Sequence, residues 1–209
     1  MKYLAGALTL SLLSNPAFAE VDTAARERLL EAFKLSFANE CETRTQNFLD
    51  EAVYHEIAPA EGDEQKRPRT LGIFLCARGA YNQTHAVLLD DGTGFGTDAL
   101  AFVEPELDVK LEDGRDDEDP VLERIGVRGF HATRIVFNAE FDPAALTLRT
   151  GGLWRGLGDA ASSGTHVLRG RQFMLQTYQA DPTYDGKVVP YMLIEDGRTI
   201  TPRAMPDGD

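Results

Sequence analysis

The chain has 209 residues, a formal net charge of −13, 43% hydrophobic residues and two cysteines. This length suits one domain, and the composition excludes collagen, a coiled coil, a disulfide-dense miniprotein and wholesale disorder. The negative charge argues against a nucleic-acid-binding protein, because such proteins need a positive potential to displace counterions from phosphate.

Residues 1–19 have the pattern of a cleaved secretory signal. Lys2 precedes an apolar run over 3–13, and an A-F-A cleavage site ends at Ala19. The run is shorter than the roughly 18 residues that a transmembrane helix needs, and no other run approaches that length. We therefore predict a mature chain over 20–209, exported to a bacterial periplasm as one β-rich domain without a membrane span.

Export decides how the two cysteines are interpreted. Cys41 and Cys76 would meet an oxidising compartment, so we expect a disulfide between them. Closing a loop of about 35 residues would stabilise the fold by roughly 3 to 4 kcal/mol. Neither cysteine has a neighbouring histidine to activate a thiolate, and the pair lacks C-x-x-C metal-ligand spacing.

The first mature segment, about 22–39, is predicted to be an α-helix. Asp22 or Thr23 can act as its N-cap, and Asn39 is expected to end it. Charged residues occupy one face, while apolar residues recur every four positions on the other, namely Ala25, Leu29, Phe33 and Phe37. This pattern is typical of a helix that docks on a core.

After Cys41 the chain changes to strand-length apolar or alternating runs separated by turn residues. About ten short strands after one N-terminal helix predict a mainly β fold, either an antiparallel sandwich or a closed meander. A short hairpin turn at Gly170 joins two of the runs. The runs lie at 53–57, 71–76, 86–89, 100–103, 107–111, 122–130, 134–141, 146–149, 166–168, 172–178, 188–194 and 199–201.

Three features resemble ligand motifs but favour ordinary structure. The glycine cluster at 92–96 lacks the Lys-Ser/Thr pair of a phosphate loop, so we expect a β-turn and no nucleotide cofactor. The acidic stretch at 112–120 lacks the regular spacing of a Ca²⁺ loop and predicts a solvated loop. No metal is expected, because the histidines form no H-x-x-x-H pair: His55, His85, His131 and His166.

One stretch combines recognition chemistry with glycines, and we expect it to be a tight loop over 154–165. The pattern favours a structural turn that Arg155 and Asp159 tie down while Trp154 covers the core. The alternative is a recognition loop, because tryptophan and arginine are the preferred anchors of binding surfaces. The candidate binding residues are Trp154, Arg155, Asp159, Ser162 and Ser163.

Short motifs give the chain a resemblance to a known family over about 70–190. They are C-A-R-G-A-Y-N at 76–82, N-A-E-F-D at 138–142, W-R-G-L-G-D at 154–159, S-S-G-T at 162–165 and G-R-Q-F-M-L at 170–175. Through them the chain resembles the exported proteobacterial domain of unknown function 1176.

The resemblance implies a periplasmic, β-rich protein and carries no activity. Family members often have a cysteine after the G-D pair and another after the next strand. Those two family cysteines look like a disulfide. Ala160 and roughly Thr183 stand in their places here, so the resemblance implies a loop that lacks this disulfide.

We expect a non-enzymatic binding or interaction module for a protein or small-molecule ligand, without a cofactor. The net charge would steer a basic partner towards it. The alternative is an envelope hydrolase acting on polysaccharide or peptidoglycan through Asp159 and another carboxylate. A serine hydrolase is disfavoured because neither Ser162 nor Ser163 lies in G-x-S-x-G. An enzyme needs convergent titratable groups in a concave pocket. The two functions are therefore discriminated by where five sets of side chains lie: Asp159, Arg155, Glu104, Glu106 and the histidines.

Overall fold

The computed structural model of the chain describes residues 22–59, 61–94, 96–112 and 121–205, which form two helices and thirteen strands. The helices are α1 (Thr23–Ser36) and α2 (Gln46–Asp50). The strands are β1 (Val53–Ile57), β2 (Arg69–Arg78), β3 (Gln83–Asp90), β4 (Thr97–Ala99), β5 (Phe102–Leu111), β6 (Leu122–Thr133), β7 (Ile135–Phe137), β8 (Glu140–Asp142), β9 (Thr147–Leu153), β10 (Ala161–Arg169), β11 (Gln172–Asp181), β12 (Tyr191–Glu195) and β13 (Arg198–Ala204).

The strands form two antiparallel sheets and one long ribbon. The first sheet has the order β1-β2-β3-β4, with β7 pairing the other end of β3, and the second has the order β13-β12-β11-β10-β9-β8. Strands β5 and β6 pair only with each other among the described residues. The mainly β, antiparallel prediction is confirmed. Of its two architectures the sandwich forms, because the described strands close no barrel and the sheets pack face to face.

The first sheet is covered on both faces, which explains the continuous apolar runs in β2 and β3. On one face, Leu71 and Ile73 pack towards the second sheet, where Leu148 of β9 lies in the same core cluster. On the other face, Phe74 packs against α1 and its ring stacks on Phe33 with centroids 4.5 Å apart.

Helix α1 confirms the predicted docking helix. Leu29 and Phe33 of its apolar stripe are fully buried, and the Asp22 side chain accepts a hydrogen bond from the Ala24 backbone N–H at 3.1 Å. The helix ends at Ser36, three residues before the predicted end at Asn39. The chain turns early there because Cys41 must reach strand β2.

The predicted disulfide is present and joins Cys41 to Cys76. Cys76 lies on the interior strand β2 and is 1% exposed. The bond therefore ties the chain that leaves α1 to the first sheet. Helix α2, which follows Cys41, was not predicted, because five residues are too few for helical periodicity to show.

The strand boundaries differ from the predicted ones where pairing, rather than composition, sets the limits. Three-residue β4 was not predicted, and the runs at 100–103 and 107–111 contribute to the single strand β5. The run at 134–141 divides into β7 and β8 at Asn138, whose φ of 46° interrupts an extended strand. The total is thus thirteen strands rather than about ten. Residues 113–120 of the acidic stretch and Phe95 of the glycine cluster lie outside the described part of the chain.

The β5–β6 ribbon packs against one end of the second sheet. Ile125 of β6 forms a small core with Ala180 of β11 and Leu193 of β12. This contact brings the start of β5 beside the inner face of β9 and β10. None of the helices in the described residues is long and apolar enough to cross a membrane.

Candidate functional site

The predicted recognition loop is shorter than 154–165. The Trp154 backbone N–H donates to the Ala160 carbonyl at 2.8 Å and closes a loop over 154–160. Ser162 and Ser163 belong to β10, where they pair with Gly152 and Gly151 of β9. The sequence pattern did not predict this pairing of β9 with β10, because glycine and serine are common turn residues and neither has a strong preference for strands.

Arg155 and Asp159 are bound to each other. The Arg155 Nε donates to Asp159 Oδ1 at 2.6 Å, and its Nη2 donates to Asp159 Oδ2 and to the Tyr184 carbonyl, the latter at 2.8 Å. The Gly186 backbone N–H donates to the same carboxylate at 2.9 Å. These bonds tie the loop over 154–160 to the connection between β11 and β12. The Arg155 guanidinium also holds the pKa of Asp159 well below its usual range.

The other three candidate residues, Trp154, Ser162 and Ser163, line a pocket of about 160 Å³ at the end of the β9–β10 pair that the loop over 154–160 connects. Its walls come from the second sheet, from β5, and from β7 and the β2–β3 connection of the first sheet. The full lining is Asn82, Glu104, Phe137, Thr150, Gly151, Gly152, Leu153, Trp154, Ser162, Ser163, Gly164 and Tyr178.

Small residues make the space. Further along the same strands, Leu148 and Leu168 fill the sandwich core, whereas Gly152 and Gly164 stand at the pocket. A Cβ at Gly164 would come 3.3 Å from Tyr178 Cδ2 and 3.4 Å from Thr150 Oγ1. The pocket therefore begins where the apolar core ends.

Glu104 is the one charged side chain among the described residues that line the pocket. Its ion-pair neighbour is His131 of β6, with Nε2 3.7 Å from the carboxylate. Burial raises the pKa of Glu104, and the His131 imidazole partly opposes that shift. Beside it, burial raises the pKa of Tyr178, and the Ser162 hydroxyl partly opposes that shift.

Under the pocket lies a buried histidine. His166 is 1% exposed, its Nε2 is 3.3 Å from Thr150 Oγ1, and its ring meets Phe102 edge-on at 5.2 Å. Its Nδ1 has no hydrogen-bond partner among the described residues. Burial lowers the pKa of His166 to about 4, so the imidazole is neutral at neutral pH.

The rim of the pocket is apolar and exposed. Leu153, Trp154 and Phe137 line the pocket while remaining 36%, 37% and 44% exposed. Tyr81 and Leu157, also exposed, extend this surface, and the Tyr81 ring packs directly over Gly156. An apolar rim around a polar pocket is typical of a recognition surface.

The acidic groups named from the sequence do not meet in the pocket. Asp159 is paired with Arg155 and is not among the lining residues, so it cannot complete a carboxylate pair with Glu104 there. Glu106 is paired with Arg128 on the ribbon. Nowhere in the described ranges do three histidine, cysteine or acidic side chains gather as a metal site would.

Four lining residues were not predicted as binding residues, namely Glu104, Phe137, Thr150 and Tyr178. Of these, Glu104 was expected only to discriminate the two functions by its placement. These residues lie on four different strands that meet only in the fold. For Glu104, the alternating charges along β5 were the available signal, since a charged residue at each second position marks one face of a strand.

Comparisons with known proteins found no match: no family model, no curated protein and no solved structure is similar to this chain. The resemblance to domain of unknown function 1176 accordingly stays a prediction.

The Arg155–Asp159 pair generates a stability prediction. We expect Arg155→Ala and Asp159→Ala each to lower the melting temperature, because each leaves the other charge without its partner. The double variant should be less destabilised than the sum of the two single variants, since the residues act as one unit. Thermal and denaturant unfolding of all four proteins measures this coupling. Full additivity, or unchanged stability in both single variants, would show that the pair does not hold the loop.

His166 generates a pH prediction. Its folded pKa of about 4 lies below the ordinary value near 6.5, so as pH falls from about 6.5 to 4 the unfolded chain takes up a proton that the folded chain does not. Its contribution to stability is therefore present above about 6.5 and is lost progressively below it, by up to about 3 kcal/mol. The slope of the unfolding free energy against pH, measured by chemical denaturation between pH 5 and 6.5, should be shallower for His166→Gln than for the unmodified protein.

Met174→Gln is the control, because Met174 is 53% exposed on the neighbouring strand β11 and carries no titratable group. It should leave the slope unchanged. Equal slopes for His166→Gln and the unmodified protein would contradict the burial of a neutral imidazole at this position.

Proposed function

We propose that this protein is an exported, periplasmic, non-enzymatic binding module whose site is the pocket at the β9–β10 end and its apolar rim. The observation that carries the proposal is the meeting of Trp154, Ser162 and Ser163 with the carboxylate of Glu104 in one concave site. Such a combination of aromatic surface with a few converging polar groups is typical of recognition sites.

The partner is basic. The chain carries a formal charge of −13, and the one charge at the pocket is a carboxylate. A positively charged partner would be drawn to this surface by the long-range field and held there by apolar contact with the rim. A cationic hydrolase that the module restrains is a partner of this kind.

A hydrolytic role on polysaccharide or peptidoglycan is the weaker candidate. Glycoside hydrolysis uses two carboxyl groups facing one bond, about 5 to 9.5 Å apart. Glu104 is the single carboxylate among the described residues that line the pocket, and the Asp159 carboxylate already accepts hydrogen bonds from Arg155 and Gly186. The pocket thus offers hydrogen bonds and one negative charge, without the acid and base partners of that reaction.

Export is supported by two independent features. The signal pattern over 1–19 predicts secretion, and the Cys41–Cys76 disulfide suits an oxidising compartment. The resemblance to domain of unknown function 1176 points to the same compartment.

The export proposal predicts that the mature protein begins at Glu20. Intact-mass measurement of the protein recovered from the periplasmic fraction should give the mass of residues 20–209 with one disulfide. Ala19→Pro, which disrupts the small residue at the cleavage site, should accumulate the uncleaved precursor. A full-length chain that remains in the cytoplasm would overturn this part of the proposal.

The binding proposal predicts association with a cationic protein. We expect lysozyme, used as a cationic probe, to bind in calorimetry at low salt, and succinylated lysozyme, with its lysine charges removed, not to bind. Trp154→Ala should weaken binding by about 1 to 2 kcal/mol, because it removes the rigid aromatic anchor.

Leu35→Ala is the matched control, since Leu35 is an equally apolar side chain, 77% exposed on α1. It should bind as the unmodified protein does. Equal binding of both lysozyme forms, or full affinity in Trp154→Ala, would contradict the proposed site. Release of soluble fragments from peptidoglycan by this protein alone, without lysozyme, would favour the hydrolase.

A further inference from the structure

The β5–β6 ribbon carries a row of ion pairs that weakens towards the pocket. Alternate residues of β5 are charged, and each pairs with a residue of β6. Away from the pocket the partners are lysine or arginine with glutamate or aspartate, whereas at the pocket the partner is a histidine, which is charged only when protonated. The pairs are Lys110–Glu123 at 2.6 Å, Asp108–Arg124 at 3.1 Å, Glu106–Arg128 at 3.3 Å and Glu104–His131 at 3.7 Å.

Glu104 is also the least exposed charged residue of β5 in this row. Its side chain is 29% exposed, compared with 44% for Glu106 and 46% for Asp108. A carboxylate that is partly removed from water lacks hydration that a cation can replace. Glu104 therefore combines the greatest burial with the weakest counterion, and the raised pKa of its carboxyl reflects the same imbalance.

The pocket around Glu104 suits an organic cation. No lysine or arginine is among the described residues that line it, so nothing there would repel a positive charge. Phe137, Trp154 and Tyr178 contribute aromatic rings, whose faces attract cations and whose surfaces accept methylene groups.

The size of the pocket limits the ligand to one functional group. Its volume of about 160 Å³ is below the roughly 300 to 1,000 Å³ of sites that enclose a drug-sized ligand. The end of one long side chain would fit, with the rest of its owner resting on the exposed rim. The rim and the pocket are then parts of one protein-binding surface.

We propose that the pocket holds the cationic end of a lysine or arginine side chain of the basic partner. The positive charge then lies against the Glu104 carboxylate, and the methylene groups pack against Trp154 and Phe137. Ser162 and Ser163 offer hydroxyl oxygens that accept hydrogen bonds from an ammonium or guanidinium group. This inference rests on the proposed binding function and specifies the group that the site recognises.

Single blocked amino acids test the inference directly, because the chain's one tryptophan reports on its own site. Trp154 fluorescence is titrated with N-acetyl-lysine methylamide, N-acetyl-arginine methylamide and, as the uncharged control, N-acetyl-norleucine methylamide. At least one of the two cationic probes should give a saturable change, and norleucine should give none. Glu104→Gln should weaken binding of that probe about tenfold or more, since the group loses its charged acceptor.

Glu106→Gln is the matched control, because Glu106 lies two residues along the same strand, pairs with Arg128 and is outside the pocket lining. It should bind the cationic probe within about twofold of the unmodified protein, a change too small for a lost direct charge contact. Thermal melting of both variants checks that each is folded. Binding of norleucine equal to that of lysine and arginine, or equal affinities in Glu104→Gln and Glu106→Gln, would overturn the inference.

Repeating the lysozyme titration with Glu104→Gln separates this inference from the proposed function. A loss of lysozyme affinity in Glu104→Gln, but not in Glu106→Gln, supports both. Undiminished lysozyme binding by Glu104→Gln overturns the role of the pocket and leaves the binding module standing. Binding of the blocked amino acids without any binding of lysozyme overturns the protein partner and indicates a small-molecule amine instead.

Discussion

Burial of the first sheet on both faces is the constraint on which the rest of the structure depends. Residues of β2 alternate between the second sheet and α1, and both sides are apolar because neither meets water. The disulfide at Cys76 joins the outer layer to this sheet. The second sheet packs its inner face on the first, and its core ends where Leu148 and Leu168 give way to glycines and hydroxyls. The pocket occupies the space that this change in side-chain size leaves.

Arginine side chains connect the layers where apolar packing stops. Arg28 of α1 binds the buried Asp90 of β3 through two nitrogen atoms at 2.8 and 3.1 Å, and Arg69 donates to the Gly170 carbonyl in the β10–β11 turn. Arg155 does the same for the loop over 154–160, since one planar guanidinium reaches a carboxylate and a carbonyl together. The Arg155–Asp159 pair lies within that loop, and its hydrogen bonds to the Tyr184 carbonyl and the Gly186 N–H join the loop to the β11–β12 connection without cysteines.

The ionisable groups around the pocket are held in different ways. Asp159 is bound by Arg155, while burial raises the pKa of Tyr178 and keeps the His166 imidazole neutral beneath Thr150. Glu104 is the one charged side chain among the described lining residues, burial raises the pKa of its carboxyl, and its ion-pair neighbour is a histidine. Most other acidic groups of the ribbon are already paired with a lysine or arginine. The acidity of the chain is thus general, but an under-compensated carboxylate in an aromatic setting is local to the pocket.

Local pattern determined the parts of this protein that depend on one segment at a time. The four-residue spacing of Leu29 and Phe33 specifies α1, the two cysteines specify the disulfide, and the lengths of the apolar runs specify a mainly β fold. Trp154, the one tryptophan of the chain, was also predicted as a candidate binding residue from the sequence. Only the tertiary structure decided that Ser162 continues a strand, that Arg155 is bound to Asp159 and the Tyr184 carbonyl, and that Glu104 belongs to the site. Those outcomes depend on strand register and on contacts between distant segments. Register is set by which strand faces the other layers bury, and no single stretch of sequence contains that information.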